Sequence, residues 1–144
     1  MKIEYVKGDI FQSDHRFILH GCNARGVMNA GFAKLVRDKH PFAYDNYMAA
    51  YKSRGLKLGE IIIVRCKGRV IVHAITQQNY GRDNIRYVSY DAIAAAMAAV
   101  EEHLYGNSIA MPMIGCGLGG GDWNVISSII ESELKSVKPY VYQL

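Results

Sequence analysis

No apolar run in this sequence approaches the roughly twenty residues that a membrane-spanning helix needs. The opening MKIEYVKGDI carries Glu4 and Asp9 where a signal peptide would need an uninterrupted apolar core, so a cytoplasmic protein with no membrane association is expected. Cysteine is scarce and unpaired. Cys22, Cys66 and Cys116 make an odd count with no CxxC pair, which suggests neither a disulfide framework nor a zinc site and fits a reducing compartment. Free thiols of this kind read first as small buried hydrophobes. A block of Lys or Arg of the sort that marks a nucleic-acid arm is missing too. The formal charge of +4 is spread along the chain, and Lys34, Arg37 and Lys39 lie close together without forming such a block. There is no repeat, no low-complexity tract and no linker.

What remains is an ordinary globular composition, 50% hydrophobic and 21% charged, in 144 residues. That length suits one domain over residues 1–144, because two halves would each bury too little core. A monomer that folds alone, without cofactor or metal, is the expectation.

Short β-rich runs alternate with helical patterns. Ile3 to Val6 and Phe17 to Leu19 read as strands, Ala30 to Lys39 as a helix, and Pro41 opens a second helix that Gly55 stops. Glu60 to Cys66 and Arg69 to Ala74 are β-branched runs joined by Lys67-Gly68, which reads as a hairpin connection. After the polar stretch TQQNYGRDNIRY come a helix from Ser89 to Tyr105, a strand at Ser108 to Met111, a helix from Asp122 to Lys135 and a strand at Pro139 to Tyr142. Strands separated by helices predict an α/β fold, a three-layer α/β/α sandwich whose central sheet is largely parallel but mixed by the hairpin. Ligands of such sheets bind beyond the carboxyl ends of the strands. The loops after Leu19, Ala74 and Met111 are therefore the places to look.

Two of those loops are rich in glycine and run into helices. HGCNARGVMNAG follows the second strand, and IGCGLGGGDW, with Gly115, Gly117, Gly119, Gly120 and Gly121, follows the fifth apolar run. Glycine lets backbone approach a ligand closely, and the unpaired amides at a helix start favour an anion. Two such loops in one small α/β domain suggest two neighbouring anionic groups, as in a diphosphate. Asp122 suits a helix N-cap as well as it suits catalysis. Asp9 offers a carboxylate for an exocyclic amine or serves as a turn residue, and Asn23 offers donors and an acceptor for ribose hydroxyls or a local turn.

The segments KGDI (7–10), LHGCN (19–23), GVMNAGFA (26–33), AIT (74–76), MPMIGCGLGGGDW (111–123) and the ending VYQL span nearly the whole chain. In that order they resemble the macrodomains, the ADP-ribose-binding fold. The branch they are most similar to holds ADP-ribose-1″-phosphate phosphatases, DNA ADP-ribosyl glycohydrolase antitoxins and terminal ADP-ribose glycohydrolases. The resemblance implies ADP-ribose bound across the top of the sheet. Asp9 would hold the adenine amine with help from the Ile10 backbone, Asn23 would contact the distal ribose, and Tyr142 would wall the adenine. Gly26, Val27, Met28 and Gly31 on one side, and Gly115, Cys116, Gly117, Leu118, Gly119, Gly120 and Gly121 on the other, would wrap the diphosphate and distal ribose. Thr76 and Gln77 complete the implied site.

One position departs from that pattern. Glycohydrolases of this branch carry a lysine after the threonine of the strand that here reads HAITQQNYG, and this chain has Gln77. A glutamine supplies no basic amine and forms no Schiff base, which puts that route in doubt. The phosphatase branch needs only a phosphate pocket, a general acid/base and a placed water, and His20 in LHGCN matches its histidine motif. The expectation is thus hydrolysis of ADP-ribose-1″-phosphate by His20 and Asp122 without metal, histidine having a pKa suited to proton transfer near neutrality. The alternatives are a reader of ADP-ribose or ADP-ribosylated protein or nucleic acid, and a glycohydrolase working without the lysine.

Overall fold

The structure, a computed structural model, describes residues 1–144. Its β-branched and aromatic runs form six strands, β1 (Glu4–Lys7), β2 (Phe17–Asn23), β3 (Ile61–Cys66), β4 (Arg69–Gln77), β5 (Ser108–Met111) and β6 (Lys138–Gln143). They make one sheet in the order β1-β6-β5-β2-β4-β3. All neighbours are parallel except β3 and β4, which are joined across Lys67-Gly68 and run antiparallel. Four helices, α1 (Gly31–Lys39), α2 (Pro41–Arg54), α3 (Tyr90–His103) and α4 (Trp123–Glu133), cover its two faces, so the mixed α/β/α sandwich is as expected. No helix is long and apolar enough to cross a membrane.

Alternation along the central strands divides the core into two layers. Leu19, Val72, Ala74 and Met111 pack with Ile93 and Met97 of α3 and Ile126 and Ile130 of α4. Ile18, Ile71 and Ala110 point the other way, onto Val36 of α1 and Ala43 of α2, and Cys22 and Ile75 join Met28 and Tyr47 on that side. A fully buried aliphatic side chain stabilises the fold by about 1.5–3 kcal/mol relative to an exposed one. The centre of the sheet is thereby the rigid floor on which anything at its carboxyl edge stands.

Two strands run further than the sequence suggests. β2 continues past Leu19 to Asn23, and β4 past Ala74 to Gln77. Pairing supplies what local propensity does not: Gly21 lies in register with Ala74 and Cys22 with Ile75, so small and polar residues are held by the ladder and by cover on both faces. His20 and Asn23 are consequently strand residues and not loop residues. At the other ends, the Ser89 and Asp122 side chains cap α3 and α4 by accepting from the amides of Ala92 and Asn124, as their residue types favour.

Candidate functional site

A cleft of about 360 Å³ opens beyond the carboxyl ends of β2, β4 and β5. Its floor is the last part of β2 with Thr76 and Gln77, one wall is the start of α1, the other is the segment after β5, and Tyr80 and Arg82 stand at its edge.

The wall after β5 is folded by its own backbone. The Gly121 amide donates to the Gly115 carbonyl at 2.7 Å and that of Gly120 to Gly117 at 3.2 Å, while Tyr87 and Val88 both donate to the Gly119 carbonyl, at 2.8 and 3.1 Å. Gly115 adopts φ +76°, and a Cβ there would stand 2.9 Å from Ile126 and 3.0 Å from Val88, so only glycine fits without displacing the core. This arrangement leaves the amides of Gly117, Leu118 and Gly119, all lining the cleft, without an acceptor in the protein.

Facing them is the start of α1. Gly31, Phe32 and Ala33 line the cleft, and Ala30 at the N-cap offers no side-chain acceptor to their unpaired amides. Asn23 shapes the loop that leads there. Its Oδ1 accepts from the Arg25 and Val27 amides and the Tyr47 hydroxyl at 3.0, 3.3 and 2.9 Å, and its Nδ2 donates to the Val27 carbonyl at 2.8 Å. The second N–H of that amide has no acceptor in the protein.

On the floor, the Thr76 hydroxyl is buried and has no hydrogen-bond partner. A buried hydroxyl left in this state loses on the order of 1–3 kcal/mol, which a ligand or water in the cleft would return. Gln77 lies in the cleft beside Gly119, its amide donating to the Asn79 carbonyl at 2.7 Å. The His20 ring, 1% exposed, reaches the cleft from below. Its Nε2 is 2.7 Å from Nδ1 of His73, whose Nε2 is 2.9 Å from the Ala43 carbonyl. That carbonyl can only accept, so His73 carries its proton on Nε2, and His20 donates from Nε2 to His73 Nδ1. Burial and the neighbouring histidine hold His20 well below its usual 6.5, and burial takes His73 down to about 4 despite the Ala43 contact. Both imidazoles are neutral at pH 7.

Of the residues singled out in the sequence, His20, Asn23, Val27, Gly31, Thr76, Gln77, Gly115, Gly117, Leu118 and Gly119 line the cleft. The pairing of His20 with Asp122 is not formed. Asp122 lies outside the lining, capping α4 through a 2.9 Å bond from the Asn124 amide, and its own amide donates to the Tyr90 hydroxyl. Gly120 and Gly121 support the wall from behind, Cys116 packs against the core under α3 and α4, Met28 is buried with Cys22 and Ile75, and Gly26 abuts the Tyr51 ring. Asp9 caps the short turn Ile10–Gln12 by accepting from the Phe11 amide, Ile10 is buried, and Tyr142 sits edge-on to His15. These last three are separate from the cleft lining; Phe11, beside Asp9 and Ile10, stacks at 5.3 Å on Phe32 of the lining, and Tyr142 packs on the same buried cluster as both rings. Sequence reasoning missed Phe32, Tyr80 and Arg82. The first stands inside the GVMNAGFA motif, while the other two lie in a segment with no periodicity to read.

Comparison with known proteins gives this cleft its context. The chain is 30% identical to the ADP-ribose glycohydrolase OARD1 of Homo sapiens and Bos taurus, over 99% of this chain and 92% of theirs. It is 28% identical, over 61% of this chain and 51% of the relative, to the ADP-ribose 1''-phosphate phosphatase of Meyerozyma guilliermondii. A solved structure from Bacteroides thetaiotaomicron, described as a protein of unknown function, matches with a TM-score of 0.86 and 30% identity across 100% of this chain and 99% of that one. The Macro domain family model matches residues 19–130, a span that takes in β2 from Leu19 onward, the Gly-rich loops and the whole of the cleft floor. The chain belongs to the macro domain family.

Proposed function

We propose that the cleft binds ADP-ribose and that the chain hydrolyses a phosphate from C1″ of that ligand, as in ADP-ribose-1″-phosphate. The observation that carries the binding is the two sets of unpartnered amides, at residues 31–33 and 117–119, on opposite walls of one cleft. Amides so arranged neutralise a diphosphate between them without any charged side chain. Arg82 at the edge adds the one formal positive charge of the lining.

The choice of reaction follows from what the lining offers. It contains no Lys, Asp or Glu, so an attack on C1″ by an amine has no nucleophile, Gln77 standing in the lysine's place. Removal of a terminal phosphate asks less. Water attacks phosphorus, the P–O bond to the sugar oxygen breaks, and the sugar oxygen takes a proton from solvent. The likeness to the named phosphatase supports this choice. His20, being a weak base at neutral pH, and Asp122, standing outside the lining, are given no proton transfer in this reading. Recognition of ADP-ribose without turnover is the second reading, favoured by the same absence of a carboxylate or amine from the lining.

Incubation of the pure protein with ADP-ribose-1″-phosphate, with inorganic phosphate and ADP-ribose measured together, separates the two. We expect slow release of both products in equal amounts. Tight binding with no release over hours would exchange the first reading for the second, and neither binding nor release would end both.

A further inference from the structure

Three buried side chains under the cleft form a cluster that neither reading above requires. His20 and Cys22 lie two apart on β2 and so point to the same face of the sheet, and the β2–β4 register sets His73 directly beside His20. His20 Nε2 and His73 Nδ1 are 2.7 Å apart, and Cys22 Sγ is 3.4 Å from the first and 3.7 Å from the second. All three are at most 4% exposed, and their ligand atoms fall within 4.8 Å of one another.

Those separations resemble the edges of a coordination polyhedron. Zinc with Zn–N of about 2.0–2.1 Å and Zn–S of about 2.3 Å in tetrahedral geometry sets its N···S edges near roughly 3.5 Å and its N···N edge near roughly 3.3 Å. Both sulfur-to-nitrogen distances are near that edge length, but Cys22 Sγ is also 3.7 Å from His20 Nδ1, so the His20 ring must turn for its Nε2 lone pair and the sulfur to meet one ion. The nitrogen pair is about 0.6 Å too close, which is what a shared proton in place of an ion would give. The outer partner is in place as well: the Ala43 carbonyl accepts from His73 Nε2 at 2.9 Å, which fixes the ring and turns the Nδ1 lone pair inward. An N₂S set with no carboxylate selects a borderline-soft ion over calcium or magnesium.

We propose that His20 Nε2, His73 Nδ1 and Cys22 Sγ form a zinc site at the floor of the cleft, of the three-ligand kind that leaves one position open. On binding, the ion displaces the proton shared by the two imidazoles, which moves to His20 Nδ1, and the Cys22 thiol loses its proton to solvent. Entry is from the cleft, since His20 and Cys22 line it, while Phe32 and Tyr47 pack around the two histidine rings from α1 and α2.

The test uses the full chain, stripped with chelator and titrated with Co²⁺ and then Zn²⁺, with no nucleotide present, so that its outcome is independent of the ADP-ribose reading. We expect one ion per chain, a thiolate-to-cobalt charge-transfer band with tetrahedral d–d bands, and bleaching of both by one equivalent of zinc. Cys22→Ser should abolish the charge-transfer band, and Cys66→Ser and Cys116→Ser should leave it unchanged. A wild-type spectrum without that band, or a band that survives Cys22→Ser or disappears in Cys116→Ser, would overturn the site. The wild-type spectrum decides the matter even where a variant fails to fold.

Discussion

Gly120→Ala should destabilise the protein by about 2–4 kcal/mol and weaken ADP-ribose binding at least about tenfold. Gly120 adopts φ +70°, and a Cβ there would stand 2.6 Å from the Ile85 carbonyl oxygen and 3.2 Å from Arg86 Cα. Both obstacles are backbone, so no side chain can swing aside. The strain would fall on the joint just before it, where the Tyr87 and Val88 amides both bond the Gly119 carbonyl. Moving that carbonyl moves the amides of residues 117–119 that line the cleft. Gly117→Ala is the control, because its φ is not in the left-handed region and nothing lies within 4 Å of a Cβ there. Stability should then change by less than about 0.5 kcal/mol, while the new methyl enters the cleft and lowers affinity. Urea denaturation and calorimetric titration of both variants check the pair, and a Gly120→Ala protein as stable as wild type would show that the wall is not held as described.

Asn23→Ala is the second large effect, with an expected loss of about 2–4 kcal/mol. The side chain gathers four hydrogen bonds, from the Arg25 and Val27 amides and the Tyr47 hydroxyl to Oδ1 and from Nδ2 to the Val27 carbonyl. Tyr47 keeps an acceptor in the Asn23 carbonyl at 2.7 Å, so the penalty falls on the two amides and the carbonyl of the loop. Asn23→Asp separates scaffold from ligand contact. It keeps the acceptor and removes the donor, and it sets a negative charge where the reading puts an anionic ligand. Its melting temperature should stay closer to wild type than that of the alanine variant, with affinity for ADP-ribose down at least about tenfold. Equal affinity in Asn23→Asp and wild type would remove Asn23 from the ligand site.

Both variants probe a site whose position was legible in the sequence more than its construction was. The glycines of IGCGLGGGDW and the order of strands and helices place the cleft, because a bare loop running from strand into helix has few other uses in a parallel sheet. Asp122 before a periodic apolar segment reads as a cap, and a cap it is. What could not be read was register. Nothing in LHGCN or VHAIT says that His20 will lie beside His73, which follows only from two strands 53 residues apart aligning side by side. The same pairing turns His20 from a loop residue free to take protons into a buried, neutral one, and brings Cys22, unremarkable as a lone thiol, next to two imidazoles. The ends of β2 and β4 were cut short for the same reason: Gly21, Cys22, Asn23 and Gln77 have weak strand propensity and are held by their neighbours. Tyr80 and Arg82 belong to a stretch whose course depends on the bonds from Tyr87 and Val88 to Gly119, contacts that no local pattern encodes.

Isothermal titration of the wild-type chain with ADP-ribose tests most directly whether that ligand occupies the cleft, with ADP and ribose 5-phosphate as fragments that each lack one end. One ADP-ribose per chain, bound at least about tenfold more tightly than either fragment and weakened by Gly117→Ala, is the predicted result. No binding of ADP-ribose, or binding of ADP with equal affinity and no effect of Gly117→Ala, would contradict it.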